Sequence, residues 1–474
     1  MGGWLALKGT DRSYPYPTKF RKVPLAPPPP SVPAGDPTLT APIPVTSQRP
    51  AWRDTFISLR IPNFRLFALS HLIAVVAVWM QRIAQDWMVL ELSGSVAAVG
   101  VTVALQFAPM LILGPWGGVV ADRYSKRTLL IISQSVAALM AAAMAVLALS
   151  GLIEVWHVYL IAFVLGLVTV VDAPARQVFV NDLVGPIHLR NAISLNSSIF
   201  QLGAMVGPAI SGLLIVAVGG GWAFAINAIA CCYTVLTLAR LRTDQLNATA
   251  PAPRAKGQLR AGARYLLNKP AIFWTTVCAA FVAVFALSTP VLLAAFADSV
   301  FESGAGGYGL LNTALASGSL VGALASTRRT TLRLRGVLGG MTAFGGFMVI
   351  AAYVPSQLVF TMLMFCAGIG CLWFVTGANQ LVQTSTNLAI RGRVMSLYMM
   401  VLIGGQALGG PMIGWLAENI GAQPTMVIAG GVPVVAAGCI AVVLARRGQL
   451  TVRFRWTSTH DERRRLVAIV PKVS

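Results

Sequence analysis

The sequence predicts an all-α membrane protein of 12 transmembrane helices arranged as two six-helix bundles. Three observations carry that prediction. Mean hydropathy is +0.73 and only 11% of residues are charged, too few to clothe a water-soluble surface. Twelve apolar runs are each about 20 residues long, enough to cross a bilayer as a helix. When those runs are threaded through a membrane, 35 of the 36 lysines and arginines fall on one side, and Arg82 alone lies inside a run. The opposite loops carry Glu91, Glu154, Asp298, Glu302 and Glu418 instead. Basic residues stay on the side where the chain is made. Both termini are therefore expected in the cytoplasm, with the chain multi-pass in the cell (inner or plasma) membrane.

Residues 1–62 are polar and proline-rich, with Pro27 to Pro30 in a row and no apolar stretch. They show no cleavable signal peptide and too little apolar surface to fold, so a disordered or extended cytoplasmic tail is expected. Spans are expected at 66–91, 96–119, 128–150, 156–176, 191–216 and 222–240, forming an N-terminal bundle over 63–241. A second set at 271–296, 306–327, 336–354, 357–382, 394–417 and 425–445 forms a C-terminal bundle over 271–447. Between them, 242–270 is a polar cytoplasmic linker whose part from Gln258 to Asn268 can form a surface helix. The basic tail 448–474 can lie on the inner leaflet through Arg463–Arg465. The net charge of +21 sits in short loops between apolar runs, which suits orientation and headgroup contact and implies no nucleic-acid partner. The six cysteines all fall in apolar runs, without metal-ligand spacing, and read as small buried residues.

A faint repeat links the halves. Gly207-Pro208-x-x-Ser211-Gly212 in the fifth span answers Gly410-Pro411-x-x-Gly414 in the eleventh, and each half ends in Ala-Arg, at 239–240 and 445–446. Duplicated halves mark a transporter that rocks one bundle against the other.

The loop after the second span reads Gly118-Val-Val-Ala-Asp122-Arg123-Tyr-Ser-Lys126-Arg127. It resembles the signature loop of the major facilitator superfamily, Gly-x-x-x-Asp-Arg-x-Gly-Arg-Lys, with Ser125 replacing the second glycine. Gly118 would permit close helix contact, Asp122 can accept from a neighbouring helix N-terminus, and Arg123 and Arg127 can reach acidic partners or phosphates. The resemblance implies a cytoplasmic gate made by these residues, closed in the outward-facing state, and it says nothing about cargo. In the corresponding loop of the second half, Gly322 and Arg328-Arg329 are present but Ser326 stands in place of the acid.

Gly203-x-x-x-Gly207-Pro208-x-x-Ser211-Gly212 is similar to the antiporter motif of drug:proton exchangers in that superfamily. Small residues four apart let helices approach and proline bends the helix, so Gly203, Gly207, Pro208 and Gly212 read either as an antiporter motif or as plain packing. Asp172-Ala-Pro174-Ala-Arg176-Gln177, Asn191-Ala-Ile-Ser-Leu-Asn196, Trp79-Met-Gln and Arg391-Gly-Arg-Val-Met-Ser-Leu-Tyr398 resemble the branch containing enterobactin exporters and macrolide-efflux pumps, the third drug:proton antiporter family. The resemblance covers residues 60–447 and implies the major-facilitator fold. Asp172 and Arg176, one turn apart, are expected to join the gate.

Arg82 and Asp86 also stand one turn apart, now in the first span. A mid-membrane charge costs about 2.5–3.5 kcal/mol on insertion scales, and spacing of four allows an ion pair that offsets part of it. The pair either pins the helix or lets Asp86 exchange a proton under the influence of Arg82. His71, earlier in the span, is a candidate assistant. Gln106, Asn196, Trp373, Asn379 and Gln380 are candidate cavity residues. Few charges and several aromatics, Phe107 among them, suit a bulky, amphipathic or weakly cationic cargo.

The expected function is a secondary active exporter of a small, amphipathic molecule such as a drug or siderophore, by proton antiport with alternating access. A proton-independent facilitator or importer of a metabolite, or a lipid-moving transporter, are the alternatives. The expected partners are the small-molecule substrate, protons and the lipid bilayer, with the protein monomeric. No cofactor, metal or enzymatic activity is implied: there is no Gly-x-x-x-x-Gly-Lys-Ser/Thr loop, the four histidines are scattered, and no nucleophile–base arrangement is legible.

Overall fold

A computed structural model describes residues 57–242, 258–326, 334–387, 390–446, 451–453 and 468–470. The proline-rich segment to residue 56, the linker stretch 243–257, Arg328, Arg329 and most of the basic tail lie outside the described residues. So does the side chain of Asp122, so the expectations placed on them go no further here.

Twelve helices are long and apolar enough to cross a membrane. They are α1 (Pro62–Ser93), α2 (Val96–Arg123), α3 (Lys126–Leu149), α4 (Val155–Gly185), α5 (Asn191–Val218) and α6 (Gly221–Arg240) in the first half. The second half has α7 (Pro270–Val300), α8 (Gly304–Ser326), α9 (Leu334–Ala351), α10 (Gln357–Ser385), α11 (Arg391–Ile420) and α12 (Ala422–Arg446). The fold is all-helical across the spans, because a chain in hydrocarbon must bond its own backbone groups. Beyond α12, Thr451–Arg453 pairs antiparallel with Ala468–Val470. The helix expected over Gln258–Asn268 is present.

The helix ends follow from local chemistry. Gly94, at φ 63°, ends α1 in the left-handed conformation, and Ser95 then caps α2 by accepting from Ala98 N at 3.2 Å. Ser125 caps α3 by accepting from Thr128 N. The serine that departs from the superfamily loop thus takes up a helix N-terminus. Arg127 donates from Nε to Leu238 O and from Nη2 to Ala239 O, both at 2.8 Å, closing the C-terminus of α6. α4 continues nine residues past its expected end at 176 and stops at Gly185 (φ 67°, ψ 178°), where the chain turns toward α5. Residues 57–60 form a 3-10 turn, so ordered chain starts before the tail boundary expected at 62. Ser58 Oγ donates to Asn191 Oδ1 at 2.7 Å, tying that turn to the start of α5.

α7 is broken. Val282–Ala286 and Phe296–Val300 are π turns flanking an α segment, Thr289–Ala295. Pro290 has no N–H to offer the carbonyl one turn back, that of Ala286. The Thr289 hydroxyl donates to that carbonyl instead. α11 is interrupted between Gly404 and Gln406. The two breaks meet: a Cβ on Gly405 would stand 2.6 Å from Ala283 Cβ, and one on Gly409 would run into Val284 and Ser288 of α7.

Leucine, isoleucine and valine side chains such as Leu139, Val146, Leu213, Val216, Ile229 and Val435 are exposed, as lipid-facing positions should be. Exposed Trp156 and Trp222 lie in the first turns of α4 and α6 and exposed Trp415 in the last two turns of α11, helix ends where an indole suits a headgroup boundary.

A buried polar stripe and two glycine seams

α1 carries the candidate site. Arg82, Gln85 and Asp86 recur at helical spacing on one stripe. Gln85 and Asp86 are buried, and Arg82 is half-buried. The expected Arg82–Asp86 salt bridge is not formed; Asp172–Arg176 is the salt bridge among the described residues. The Arg82 guanidinium lies over the Trp79 ring, 4.8 Å from its centroid, and over Phe107 of α2 at 5.2 Å. A helical side chain leans toward the N-terminus of its own helix, which carries Arg82 back over Trp79 and away from Asp86. Asp86 instead accepts from Tyr308 Oη of α8 at 3.2 Å, and Trp87 stacks on the same tyrosine with centroids 6.0 Å apart. This hydrogen bond joins the first half of the chain to the second. Arg82 Nε, Gln85 Nε2 and Asp86 Oδ1 are buried without a hydrogen-bond partner. Gln85 and Tyr308 are the residues sequence reasoning missed. Gln85 could have been found from its spacing to Arg82, whereas nothing in a lone tyrosine says which helix it faces.

Two glycine seams hold the halves together at the same end. A Cβ on Gly212 of α5 would lie 3.1 Å from Gly309 Cα of α8, and one on Gly309 would lie 2.9 Å from Pro208 O. A Cβ on Gly410 of α11 would lie 2.7 Å from Gly100 O of α2, and one on Gly414 would lie 2.7 Å from Val96 O. Glu418 Oε2 closes this second seam by accepting from Ser95 Oγ at 2.8 Å and Ala97 N at 3.2 Å. The repeat in the sequence therefore appears as two equivalent seams, α5 on α8 and α11 on α2. Gly203 and Gly207 have a different task. Their bare faces admit α1: a Cβ on Gly207 would stand 2.6 Å from Trp79 Cβ, and one on Gly203 would collide with Val75. Ser211 Oγ adds a bond to Met80 O at 3.0 Å. One motif thus clamps the helix that bears Arg82 and also faces the other half.

A second polar network ties α1, α3 and α4. Arg176 forks onto Asp172 with contacts of 2.9 to 3.0 Å. Asp172 Oδ1 also accepts from Ser133 at 2.8 Å and Gln134 at 3.0 Å. Arg176 Nη1 lies 3.2 Å from His71 Nδ1. All five residues belong to the first half. His71 is fifteen residues from Asp86, about 22 Å along the helix, and so serves this network and not the Asp86 stripe. In the signature loop, Gly118 is not a contact glycine: nothing lies within 4 Å of a Cβ built there. Its neighbour Gly117 makes the close approach: a Cβ on it would lie 3.0 Å from the Val170 carbonyl carbon of α4. Arg123 is exposed.

Residues 53–455 match the family described as transmembrane secretion effector. The chain belongs to that family of the major facilitator superfamily. This secretion-effector family member is 26% identical over 361 residues to the enterobactin exporter EntS of Shigella boydii serotype 18, covering 75% of this chain and 85% of that one. EntS of Escherichia coli O139:H28 matches at the same identity and coverage. Among solved structures, the nucleoside transporter NupG superposes with TM-score 0.63 at 15% identity, covering 81% of this chain and 99% of that one. A bacterial homologue of the human lysosomal transporter Spinster, inward-facing and unoccupied, gives TM-score 0.63 at 15% identity over 84% and 98%. At such identities these structures establish the fold alone. The chain is thus a multi-pass membrane transporter of major-facilitator fold.

The candidate cavity residues make mostly local contacts in this transporter. Gln106 directly precedes Phe107, beside the Arg82 contact, and its carbonyl abuts Gly166 of α4. Asn196 is half-buried in α5. Trp373 Cδ1 is 3.0 Å from the Cβ position of Gly340, so it packs toward α9 within its own half. Asn379 Oδ1 accepts from Gln383 at 2.8 Å within α10, and Gln380 is exposed. Among the described residues no group of three or more His, Cys, Asp or Glu is placed to hold a metal.

Proposed function

We propose that this transporter exports a small amphipathic molecule by proton antiport, with Asp86 as the proton-exchanging group and Arg82 as its charged neighbour. The observation that carries the reading is the placement of Asp86. It is 2% exposed, bonded through one oxygen to Tyr308 of the other half, and unpartnered at the other oxygen. A carboxyl group so placed can change protonation and alter a bond between the halves in the same event. That is the requirement for coupling a proton to alternating access. The positive-inside pattern puts both termini in the cytoplasm. The seams at Gly212–Gly309 and Gly410–Gly100 then close the outer side, leaving the cytoplasmic side to load cargo. The export direction is supported by the relatives that export enterobactin. On this reading Asp122, Arg123, Asp172 and Arg176 belong to the cytoplasmic gate, Gly203 and Gly207 hold α1 in place, and Arg127 supports the gate by fixing the end of α6.

The test is proton movement in inverted membrane vesicles carrying a pH gradient, challenged with dyes, macrolides, tetracyclines and siderophores. A compound that dissipates the gradient with wild type and not with Asp86→Asn is the expected result. Equal dissipation by both proteins would keep antiport and remove Asp86 from the coupling step.

A further inference from the structure

Three polar atoms on one stripe of α1 are left without partners: the donors Arg82 Nε and Gln85 Nε2 and the acceptor Asp86 Oδ1. Buried polar atoms are nearly always satisfied, so three together on one helix face are unusual. Arg82 as a residue is half-buried, with its Nε enclosed. Its positive charge has no salt-bridge partner among the described residues. Its planar head lies over two aromatic rings, Trp79 and Phe107, at 4.8 and 5.2 Å.

We propose that this stripe, Arg82, Gln85 and Asp86 with the Trp79 and Phe107 rings, is the polar subsite for cargo, and that it takes an aromatic group bearing an acidic hydroxyl or a carboxyl. The inference rests on the exporter reading above and narrows its cargo. Two free donors and one free acceptor complement an oxygen group that accepts twice and donates once, as a phenolic hydroxyl or carboxylic acid does. The two rings favour a flat, π-bearing body next to that group. A cationic cargo would instead meet the Arg82 charge head on, so the weakly cationic cargo compatible with the sequence is disfavoured at this subsite.

The test uses the full chain in lipid nanodiscs, with empty nanodiscs as the blank. Equilibrium dialysis measures binding of 3-hydroxy-2-naphthoate, its doubly methylated ether-ester, and a naphthyl trimethylammonium salt. The hydroxynaphthoate should bind at least about tenfold tighter than the methylated form, since a charge-assisted hydrogen bond contributes enough for that ratio. Arg82→Gln and, independently, Gln85→Leu should each erase most of that preference. Gln85→Leu carries the test if Arg82→Gln does not give a monodisperse protein. Equal binding of acid and methylated form by wild type, tighter binding of the cation, or a preference unchanged in both variants would overturn the proposal. Uptake of the probes into inverted vesicles separates the two readings. An Arg82-dependent acid that binds but is not moved contradicts the exporter reading and leaves the subsite standing. Cargo moved equally well by wild type and Arg82→Gln contradicts the subsite and leaves export standing.

Discussion

Two arginine–aspartate pairs stand one turn apart in the first half, and only one is a salt bridge. In α4 the acid precedes the base, and Arg176 reaches back along the helix onto Asp172. In α1 the base precedes the acid, and the same backward lean takes Arg82 onto Trp79. The order acid-then-base is the favourable one on a helix, because side chains tilt toward the N-terminus. The contrast gives a stability prediction. Asp172→Asn leaves the half-buried Arg176 without its counter-charge and should cost up to about 3–5 kcal/mol, the figure for a fully buried pair, read as a lower thermal midpoint of the purified protein. Arg82→Gln removes a cation that has no salt bridge to lose, and its midpoint should move far less. An equal loss in both variants would mean that Arg82 and Asp86 are paired in solution. The spacing of these residues was legible in the sequence. The partner of Asp86 was not, because tyrosine has no periodic signal and the contact spans 222 positions of chain.

At the scale of helices, glycines decide which surfaces meet. The seams need bare backbone at Gly309 and Gly410, and a side chain there forces the halves apart. Gly309→Val should keep the helical content and abolish transport; normal transport would remove the α5–α8 seam from the mechanism. The signature loop offers a sharper pair. Gly117→Val meets Val170 of α4 and should lower the yield of folded protein. Gly118→Val points into open space and should be tolerated in the structure described. Purification yield and a monodisperse elution profile distinguish the two. Much at this scale could be read in advance. Ten of the twelve spans run close to continuous apolar helix, and the Gly-Pro repeat marks the faces of α5 and α11 that pack closely without saying which helices they meet. The π turns of α7 could not be read, since Pro290 announces a break but not how the freed carbonyl will be met. Which of Gly117 and Gly118 meets a neighbour is not legible, because adjacent residues on a helix point in directions about 100° apart.

For the molecule as a whole, class and number of spans were legible, because apolar runs and the charged loops between them are written in the sequence whatever the helices pack against. Cavity lining was the least legible property. Asparagine and glutamine serve packing and cargo equally well, and Trp373 turned toward α9. Removing residues 1–55 should leave transport intact, since the first anchoring contact described is at Ser58; a well-expressed but inactive truncation would assign the proline-rich segment a function.

On the proposed function, the Asp86–Tyr308 bond joins the proton site to the closed seam. It is tested most directly by a distance measurement across that seam. Spin labels at Leu92 and Ile420, both exposed at the ends of α1 and α11, are compared in wild type and Tyr308→Phe after the six native cysteines are replaced. Loss of a hydrogen bond to a charged group, about 1.5–3 kcal/mol, shifts a two-state equilibrium roughly ten- to hundredfold. Wild type should show one short distance, and Tyr308→Phe a second, longer population. Identical distance distributions in the two proteins would contradict it.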